Sequence, residues 1–536
     1  MKLAKNYSTA RKIGLPVLVT PISFLHPLWL LSHRRLGPFL KALPFGLGKF
    51  VDHTGFSWFF PDRYRSHADL GPAFIIVSPS QVQVILADPD AIDDILAKRK
   101  DFTKDSKMGR ALNIFGPNLV TSTNDDWPRQ RRLTTPPFNE RNSSFVWRES
   151  LSQSKSMLRI WTSKGQNGVE GTPTDTMTLA LNVLIAAGLG KTYEFDGGTT
   201  NLKGDHKISY RDAMKILLSR LFLTVLMNSM PLPAAILPPR LREIKTAIQE
   251  YRTYMKEMME EDRKSLHKID AEKDNLMTVL LRASEPGSGN ARNGLSDEEI
   301  LGNLFIYNVA GHDTTANTLA YSIHLLSVNP EVQEWIREEI QSVFGAEGDI
   351  KDWEYEKAFP RLKRCFSLMN ETLRLYGPVV ANIRYTGNLQ QTVDIKGKSY
   401  TLPPKTHIMI NAGALSTLPQ YWGSDSLLWR PNRWIIIDEK SQSMEDENIF
   451  QPQHGVYIPF SSGPRACPGR KFAQVEFVAV IARLFRRHRC SPVLLEGETI
   501  VEAKKRVMEV VEDSNVELTL KMLHPEKVKL TWKEVA

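Results

Sequence analysis

The sequence predicts a mainly α protein with small β-sheets, an α+β fold class. Helical periodicity dominates from about residue 142 to residue 278. After this helical region, one long helix is expected to begin at the Ser296 N-cap, with Glu298 and Glu299 in its first turn, and to run to about Val328. Short apolar runs typical of β-strands lie within residues 73–86, 391–402, 408–411 and 516–532.

The composition is that of an ordinary globular protein, with 536 residues, 42% hydrophobic and 24% charged. It excludes collagen-like, disulfide-framework and wholly disordered chains. A net charge of +9 permits an acidic partner or a membrane surface and does not imply nucleic acid. The three cysteines, Cys365, Cys467 and Cys490, form no CxxC pair. This excludes a cysteine-rich zinc site and predicts reducing surroundings.

An N-terminal apolar run, residues 14–31, contains no formal charge and has basic residues on both sides. Its length approaches that of a membrane span, but Pro16, Pro21 and Pro27 disfavour a straight helix. We therefore expect a short or broken membrane anchor with its basic flank over residues 1–35, followed by one domain over residues 36–536. A buried N-terminal core segment is the alternative.

After this run, the first β-type segments are followed by a helix that is expected to begin at Pro89. A Gly- and Ser-rich loop, residues 284–299, leads into the long helix. No internal repeat or linker divides the remaining chain, so one large domain is expected.

One cysteine lies in a Gly- and Pro-rich loop directly before a helical pattern. In such a position backbone N–H groups and the helix dipole stabilise a thiolate. The spacing FxxGxRxCxG is formed by Phe460, Gly463, Arg465, Cys467 and Gly469. With this pattern the sequence resembles the cytochrome P450 family.

The resemblance implies a single cytochrome P450-like haem domain whose cofactor is haem b. In such a domain Phe460 and Gly463 belong to the haem loop, and the Cys467 thiolate ligates the iron. A second family pattern, WxxxR, is matched by Trp127 and Arg131. An indole N–H and a guanidinium suit the haem propionates as donors. The resemblance further implies that Arg384 and Arg465 complete the propionate shell.

Two more segments match the family in the expected order. Glu371 and Arg374 have the i,i+3 spacing of one helix face, which alone is typical of a surface ion pair. The family pairs ExxR with a downstream arginine, here Arg433 in the sequence PNRW. The resemblance therefore implies a buried structural network of three charged groups. Its loss should prevent retention of haem.

The other segment, AGHDTT, lies inside the long helix. Gly311 costs about 1 kcal/mol relative to Ala, and Thr314 and Thr315 compete for backbone acceptors. We therefore expect a local break in the helical hydrogen bonds. The resemblance implies that Asp313 and Thr314 relay protons during oxygen activation.

The resemblance also implies a distal pocket lined by the long helix and by the chain after the ExxR helix. Because its expected members are mostly apolar, we predict a hydrophobic substrate. These members are Phe305, Ala310, Val379, Val380 and Ala381.

Three functions are compatible with the sequence. The first is a haem-thiolate monooxygenase that inserts one oxygen atom of O2 into a hydrophobic small molecule, in secondary-metabolite biosynthesis. The second is a P450-fold isomerase or dehydratase that needs no reductase. The third is a non-catalytic haem-binding membrane protein. The presence of both Asp313 and Thr314 favours the first.

No flavin domain follows Cys467 in this sequence, so we expect electrons from a separate NADPH–cytochrome P450 reductase, with cytochrome b5 as an optional second donor. Basic side chains near the two haem motifs would attract an acidic flavoprotein. We expect the N-terminal run to hold the protein at the endoplasmic reticulum membrane with the haem domain in the cytosol, where its thiols stay reduced. Because basic residues flank the run on both sides, their charge indicates no orientation.

Overall fold

The computed structural model describes residues 1–535 except residues 25, 56, 106–111, 197–201, 203–204, 230–232, 234–235, 267–274, 285–293, 346–352, 438–442 and 517. Most of the loop expected before the long helix, residues 285–293, therefore lies outside the described residues. The predicted fold class is confirmed, because helices dominate and the sheets are small.

The helices, in chain order, are α1 (Lys2–Arg11), α2 (Pro27–Lys41), α3 (Phe59–Asp62), α4 (Arg65–Leu70), α5 (Pro89–Ala97), α6 (Asp126–Thr134), α7 (Glu140–Ser163), α8 (Thr172–Leu189), α9 (Tyr210–Ser219), α10 (Leu221–Ser229), α11 (Pro239–Ser265), α12 (Leu276–Ser284), α13 (Asp297–Ser327), α14 (Pro330–Phe344), α15 (Tyr355–Ala358), α16 (Lys363–Tyr376), α17 (Ala412–Leu415), α18 (Pro419–Trp422), α19 (Arg470–Phe485) and α20 (Ile500–Glu512).

The strands are β1 (Val17–Val19), β2 (Ala73–Val77), β3 (Val82–Leu86), β4 (Ala381–Tyr385), β5 (Gln391–Ile395), β6 (Lys398–Leu402), β7 (His407–Asn411), β8 (Ile435–Ile436), β9 (Asn448–Ile449), β10 (His488–Pro492), β11 (Ser514–Val516), β12 (Leu520–Met522) and β13 (Leu530–Glu534). The largest sheet has the order β1-β2-β3-β7-β4. Its β1–β2 and β3–β7 pairs are parallel, and its β2–β3 and β4–β7 pairs are antiparallel.

Helix α13 passes through the interior of the helical body and is buried along nearly its whole length. Its start agrees with the prediction: the Ser296 hydroxyl accepts a hydrogen bond from the Glu299 backbone N–H, and the Glu299 side chain accepts one from the Ser296 backbone N–H. Such a capping box satisfies two backbone donors that a helix start leaves free. Helix α5 also begins at the predicted Pro89, where the Asp88 carboxylate accepts from the Ala91 backbone N–H.

The N-terminal apolar run, residues 14–31, is not one helix. Its first part forms β1, which pairs with β2 in the register Val17 to Ile75. Ala10 and Ile13 are buried against the same sheet. For residues 10–19 the structure therefore agrees with the core-segment alternative, and an anchor helix is not seen. Among the described residues, none of the helices combines the length and the apolar character needed to cross a membrane. The division of the chain at residue 35 stays a prediction.

The Glu371 carboxylate of α16 is fully buried and accepts five hydrogen bonds. The Arg374 guanidinium binds both of its oxygens at 2.8 Å. The Arg433 Nε and the Arg430 backbone N–H donate to Oε1 at 3.0 and 2.7 Å, and the Trp434 indole donates to Oε2 at 2.9 Å. The predicted three-residue network is therefore present in the geometry, and two further donors complete it.

The two arginines extend this network into the chain between α17 and β8. The Arg374 guanidinium donates to the carbonyl oxygens of Ser416, Ser426 and Leu428. The Arg433 guanidinium donates to the carbonyl oxygen of Leu428 as well, at 3.2 Å. Because buried carbonyls need partners, the arginines fix an irregular segment whose regular structure is limited to short helical turns such as α18.

The network also reaches the cysteine loop through aromatic packing. The Trp434 and Tyr457 rings have centroids 4.6 Å apart, and the Tyr457 hydroxyl donates to the Asn370 carbonyl oxygen at 3.0 Å. Tyr457 stands ten residues before Cys467 in the chain. Helix α16 therefore holds the entry to the loop that carries the cysteine.

We predict that Glu371→Gln lowers the free energy of unfolding by about 3–5 kcal/mol, because it leaves the buried Arg374 guanidinium without a balancing charge and leaves Arg433 with Asp425 alone, at 3.4 Å. Asp94→Asn is the control, since it breaks an exposed pair with Lys98 at 2.8 Å and should cost at most about 1 kcal/mol. Thermal unfolding of both variants, followed by circular dichroism, makes the comparison. Equal losses in the two variants would show that the network does not stabilise the fold.

Candidate active site

A cavity of about 370 Å³ lies where α13, α8, the chain after α16 and the cysteine loop come together. Its walls are mostly apolar. The apolar lining residues include Leu119, Val120, Leu184, Ala187, Leu276, Ile306, Ala310, Met369, Leu373, Val379, Ile458 and Phe472. The cationic side chains on its wall are Lys104, Arg131 and Arg465, and Cys467 contributes a thiol. The other polar lining residues include Trp127, Asn142, Tyr307, Thr314, Thr315, Thr318, Asn382 and Ser461.

Cys467 lines this cavity, and its thiol has no disulfide partner. The side chain is enclosed by protein although its surface is open to the cavity. Burial raises the pKa of the Cys467 thiol, while the Gly469 backbone N–H and the charges of Arg131 and Arg470 act to lower it. Burial has the larger effect, so the pKa of the thiol is raised overall, and the two positive side chains with the Gly469 N–H only partly offset that rise. Both other cysteines are buried.

The loop before Cys467 is shaped by tight backbone turns. The Cys467 backbone N–H donates to the Phe460 carbonyl oxygen at 2.9 Å, which closes the loop. Gly463 has a φ of +67°, and a Cβ atom there would lie 2.7 Å from the Leu96 carbonyl oxygen. Only glycine therefore permits this loop to pack against α5. The predicted loop residues Phe460, Gly463 and Cys467 are placed together by this contact.

Three buried cationic side chains, Lys104, Arg384 and Arg465, gather near one part of the cavity wall. Burial and the charges of Arg465 and Arg384 lower the pKa of Lys104 to about 7. Burial lowers the pKa of Arg384 to about 10, and burial with repulsion from Arg384 and Arg99 lowers that of Arg465 to about 10. Their hydrogen bonds go to Val120 O from Lys104, Ser122 O from Arg465, and Asn382 Oδ1 and Ile383 O from Arg384.

None of the three pairs with an acidic side chain in the described part of the chain. Buried cations without a counter-ion are costly, so this arrangement calls for an anion that the protein does not itself supply. Trp127 and Arg131 line the cavity in the same region, and the Arg465 guanidinium lies 4.6 Å from the centre of the Trp127 ring.

These residues fit the haem that the sequence resemblance implies. Haem b is a flat apolar ring with two carboxylates on one edge. Here one cavity offers apolar walls, a cysteine thiol and a group of cations that lack acidic partners. Arg384 lies behind Asn382, which is the residue that reaches the wall, whereas Lys104, Trp127, Arg131 and Arg465 line the cavity directly.

The α13 residues Ala310, Gly311 and Thr314 also line the cavity. The helix is continuous across them, so the expected local break is wrong. The Thr314 hydroxyl donates to the Ala310 carbonyl oxygen at 2.7 Å, and the Thr318 hydroxyl donates to the Thr314 carbonyl oxygen at 2.8 Å. Bonding to a carbonyl one turn back is tolerated inside a helix, and the packing of a buried helix outweighs weak local propensity.

Asp313 is buried and is not on the cavity wall. Its carboxylate accepts a hydrogen bond from the Thr519 hydroxyl, which in turn accepts one from the Asn317 side-chain amide at 3.1 Å. Thr519 stands between β11 and β12, and the next backbone N–H, that of Leu520, donates to the Pro378 carbonyl oxygen at 3.0 Å. This turn therefore connects α13 to the chain that leaves α16.

The expected substrate-pocket residues divide into two groups. Ala310 and Val379 line the cavity. Phe305 does not, because its ring is buried against Phe115 and Tyr251 with centroids 4.6 and 5.5 Å away. Val380 lines a smaller neighbouring cavity instead of this one. Ala381 begins β4 and packs with the cluster around Trp58 and Phe59. These three positions are corrected.

Two residues of interest were missed by sequence reasoning. Lys104 belongs to no motif, and only the fold brings it beside Arg465 and Arg384. Thr519 is 206 residues away from the Asp313 that it contacts. The local sequence contains no signal for either contact.

Comparison with known proteins agrees with the sequence motifs. The family model described as cytochrome P450 matches residues 43–516. A cytochrome P450 monooxygenase of Arthrobotrys oligospora is 30% identical, over 98% of this chain and 94% of the relative. The phomenoic acid biosynthesis cluster cytochrome P450 monooxygenase of Leptosphaeria maculans is also 30% identical, over 94% of this chain and 91% of the relative. A ganoderic acid synthetase of Ganoderma lucidum is 27% identical, over 87% and 91% of the two chains.

A solved structure supports the same fold. The crystal structure of a cytochrome P450 superposes with a TM-score of 0.67 at 19% identity, over 88% of this chain and 97% of the other. The family model covers most of the chain, and the motifs that it describes meet around one cavity. The chain therefore belongs to the cytochrome P450 family and is a monooxygenase.

Proposed function

We propose that this enzyme holds haem b through Cys467 and inserts one oxygen atom of O2 into a hydrophobic small molecule, by hydroxylation, epoxidation or further oxidation. The observation that carries the proposal is that one largely apolar cavity contains a cysteine thiol together with Lys104 and Arg465, with Arg384 behind its wall, and that these three cations lack acidic partners among the described residues. When bound, a thiolate-ligated haem supplies reductive activation of O2.

The protein contributes binding and orientation at the haem edge. Lys104, Arg131 and Arg465 would donate to the two carboxylates, and the Trp127 indole stands beside them. Charge-assisted hydrogen bonds of this kind are stronger than neutral ones, and guanidinium groups bind carboxylates in two-pronged geometry. Neutralisation of the cations would also relieve the repulsion that lowers the pKa of Lys104.

The backbone around Cys467 affects the charge and the orientation of its sulfur. The Gly469 backbone N–H bonds to it, and the start of α19 presents further N–H groups nearby. Such donors spread the negative charge of a thiolate and orient it. Phe460 and Phe472 line the cavity in the same region and exclude water from it.

Thr314 presents its side chain to the cavity, while Asp313 stands one residue away and behind the wall. We infer that Asp313 passes a proton towards the cavity. The Thr314 hydroxyl, on the cavity wall, then positions the group that donates this proton in the cavity. The hydrogen bond from Thr519 fixes one Asp313 oxygen. The carboxyl group therefore has a defined orientation from which the second oxygen can take part in transfer.

The remaining wall is suited to an apolar substrate. Leu119, Val120, Leu184, Ile306 and Val379 bring no charge into the cavity. A substrate that carried a charge would therefore lose hydration without a partner. The relatives named for phomenoic acid and ganoderic acid support a place for this enzyme in secondary-metabolite biosynthesis.

The electron donor proposed for this enzyme is NADPH–cytochrome P450 reductase, with cytochrome b5 as a second donor. Among the basic side chains near the haem motifs, Arg132 and Arg470 are exposed and suit an acidic partner. Arg129 forms an ion pair with Glu299, and Arg489 forms one with Glu334.

We place the enzyme at the endoplasmic reticulum membrane with the haem domain in the cytosol, a location that fits its reduced cysteines.

We predict that Cys467→Ala abolishes the thiolate-type absorption of the reduced carbon monoxide complex, because no sulfur remains at the haem. Cys365→Ala and Cys490→Ala are matched controls and should keep that absorption, since both thiols are buried away from the cavity. Difference spectra of the three purified variants make the test. A Cys467→Ala protein that keeps the absorption would refute the assignment.

Asp313→Asn should lower the rate of product formation on the order of 100-fold, the usual contribution of a positioned proton donor. Thr314→Ala should continue to consume NADPH but release most of the electrons as hydrogen peroxide. Thr314→Ser keeps the hydroxyl and is the control. NADPH consumption, product and peroxide are measured together, with the haem spectrum unchanged throughout. Unaltered coupling in Thr314→Ala would exclude this role.

Added bulk at two adjacent positions should have different effects. Val379→Phe should change the product ratio or the substrate-induced spectral shift, because Val379 lines the cavity. Ala381→Phe should instead lower thermal stability, since it overpacks the cluster that contains Trp58. Product analysis and thermal unfolding of both variants separate these outcomes. Altered products in Ala381→Phe together with lost thermal stability in Val379→Phe would contradict the placement of Val379, and not Ala381, on the cavity wall.

A further inference from the structure

The hairpin formed by β11 and β12 reverses the usual burial of polar and apolar side chains. Residues 517–519 connect its two strands, and residue 517 lies outside the described residues. Within this tip Thr519 is 3% exposed, whereas the adjacent Leu518 is 42% exposed. Hydrophobic burial alone would favour the opposite arrangement, because a hydroxyl is costly to bury unless it forms hydrogen bonds. The burial of Thr519 therefore indicates that its hydroxyl has a specific use.

The Thr519 hydroxyl bridges two side chains that lie one turn apart on α13. It donates a hydrogen bond to Oδ2 of Asp313 and accepts one from the Asn317 side-chain amide at 3.1 Å. Asp313 and Asn317 have the i,i+4 spacing that places two side chains on the same face of a helix, and both are buried. A residue from outside the helix therefore connects the Asp313 carboxylate to its neighbour on the next turn.

The direction of these two hydrogen bonds follows from their chemistry. The amide nitrogen of Asn317 can only donate, so it occupies a lone pair of the Thr519 oxygen. A hydroxyl has a single hydrogen, and in the described part of the chain Asp313 is the acceptor of that hydrogen. A proton on Oδ2 would compete with it for the space between the two oxygens and leave one buried hydrogen without a partner. A proton on Asp313 is therefore confined to the other oxygen, Oδ1.

The imidazole next to Asp313 does not replace this hydrogen bond with an ion pair. Burial lowers the pKa of His312 to about 4, although the charge of Asp313 acts to raise it, and the charge of Lys521 adds to the lowering. His312 is therefore uncharged near neutral pH. Of the contacts that the Asp313 carboxylate makes within the described residues, the hydrogen bond from Thr519 is the one that orients it.

The hairpin that carries Thr519 is held in place by other contacts. The Leu520 backbone N–H donates to the carbonyl oxygen of Pro378, a residue that lines the cavity, at 3.0 Å. At the start of β11, the Tyr321 hydroxyl of α13 donates to the Ser514 hydroxyl at 2.6 Å. The position of the Thr519 hydroxyl is therefore fixed independently of the carboxylate that it contacts.

We propose that Thr519 and Asn317 are positioning residues for proton delivery in this enzyme. Thr519 holds Oδ2 of Asp313, and Asn317 sets the direction of that hydrogen bond, so Oδ1 is the oxygen that gains and releases the proton. When the Oδ1–H bond breaks, the proton moves towards the cavity, and the hydrogen bond at Oδ2 stabilises the carboxylate that remains. A proton from solvent restores the acid, and no electrons are transferred in this step. The proposal rests on the proton role proposed above for Asp313.

The first test measures turnover of holoenzyme variants with ethoxycoumarin as a neutral, apolar probe. Thr519→Val removes the hydroxyl at nearly constant volume. It should raise the hydrogen peroxide released per NADPH consumed and lower oxidation of the probe about tenfold, the size expected for one hydrogen bond to a charged group. Thr519→Ser keeps the hydroxyl and should restore both values. Thr531→Val is the matched control and should behave as the parent does, because its hydroxyl contacts that of Ser491 at 3.0 Å, between β10 and β13.

A double variant separates positioning from a merely structural contact. If Thr519 acts through Asp313, Asp313→Asn should hide the effect of Thr519→Val, so that the double variant is no worse than Asp313→Asn alone. Asn317→Leu leaves the Thr519 hydroxyl in place but removes the donor that sets its direction. It should therefore give a smaller loss than Thr519→Val. The absorption spectrum of the haem should be the same in all of these variants.

Crystal structures of the parent and of Thr519→Val add a readout that does not depend on turnover. We expect the Asp313 carboxyl group of the variant to be rotated or to occupy two orientations. Three results would each overturn the proposal: an unrotated carboxyl group, unchanged peroxide release per NADPH in Thr519→Val, or a loss in the double variant that adds to that of Asp313→Asn. Failure of the proton role itself is distinguishable, because Asp313→Asn would then have the turnover of the parent.

Discussion

The buried Glu371 carboxylate is the constraint on which the site depends. It accepts five hydrogen bonds from four groups, and two of these groups are guanidiniums that also donate to the backbone carbonyls of an irregular segment. A lone buried carboxylate is costly, but here every charge has an opposite charge and directed hydrogen bonds. The chain from α17 to β8 has little regular structure, so its path is determined by these contacts. Through Trp434 and Tyr457 the same network fixes the start of the cysteine loop.

Near the cavity, in contrast to the Glu371 network, buried charges have no opposite charge among the described residues. Burial lowers the pKa of Lys104, Arg384 and Arg465, and the charges of the two arginines lower that of Lys104 further. The hydrogen bonds of the three side chains go to carbonyl or amide oxygens. The protein completes its internal network around Glu371 and leaves this second group of charges for an anionic partner. A cofactor with two carboxylates therefore stabilises the fold that receives it, because it binds the folded state and relieves this repulsion. The apolar walls beyond the cations remain for the substrate.

Much of the site could be predicted because its residues lie in short patterns. The i,i+3 spacing places Glu371 and Arg374 on one face, and the loop before α19 presents Cys467 in a single orientation. Elsewhere the large separation in sequence makes prediction impossible, as for Lys104 and Arg465, which only the fold brings near one another. The predicted pocket residues after α16 were wrong by one or two positions, because the sequence does not show which of several consecutive residues in an extended chain faces a cavity. Val379 lines this cavity as well as the smaller neighbouring one, whereas Val380 lines only the smaller one. The strand within the N-terminal run could not be predicted from the sequence, because the pairing partner of Val17 is Ile75, far along the chain.

The most direct test of the account is to locate the iron in crystals of the holoprotein by anomalous diffraction at the iron absorption edge. We predict one iron peak within bonding distance of the Cys467 sulfur, with both haem carboxylates directed towards Lys104, Arg131 and Arg465. An iron peak remote from Cys467, or carboxylates at the edge away from these cations, would contradict the account.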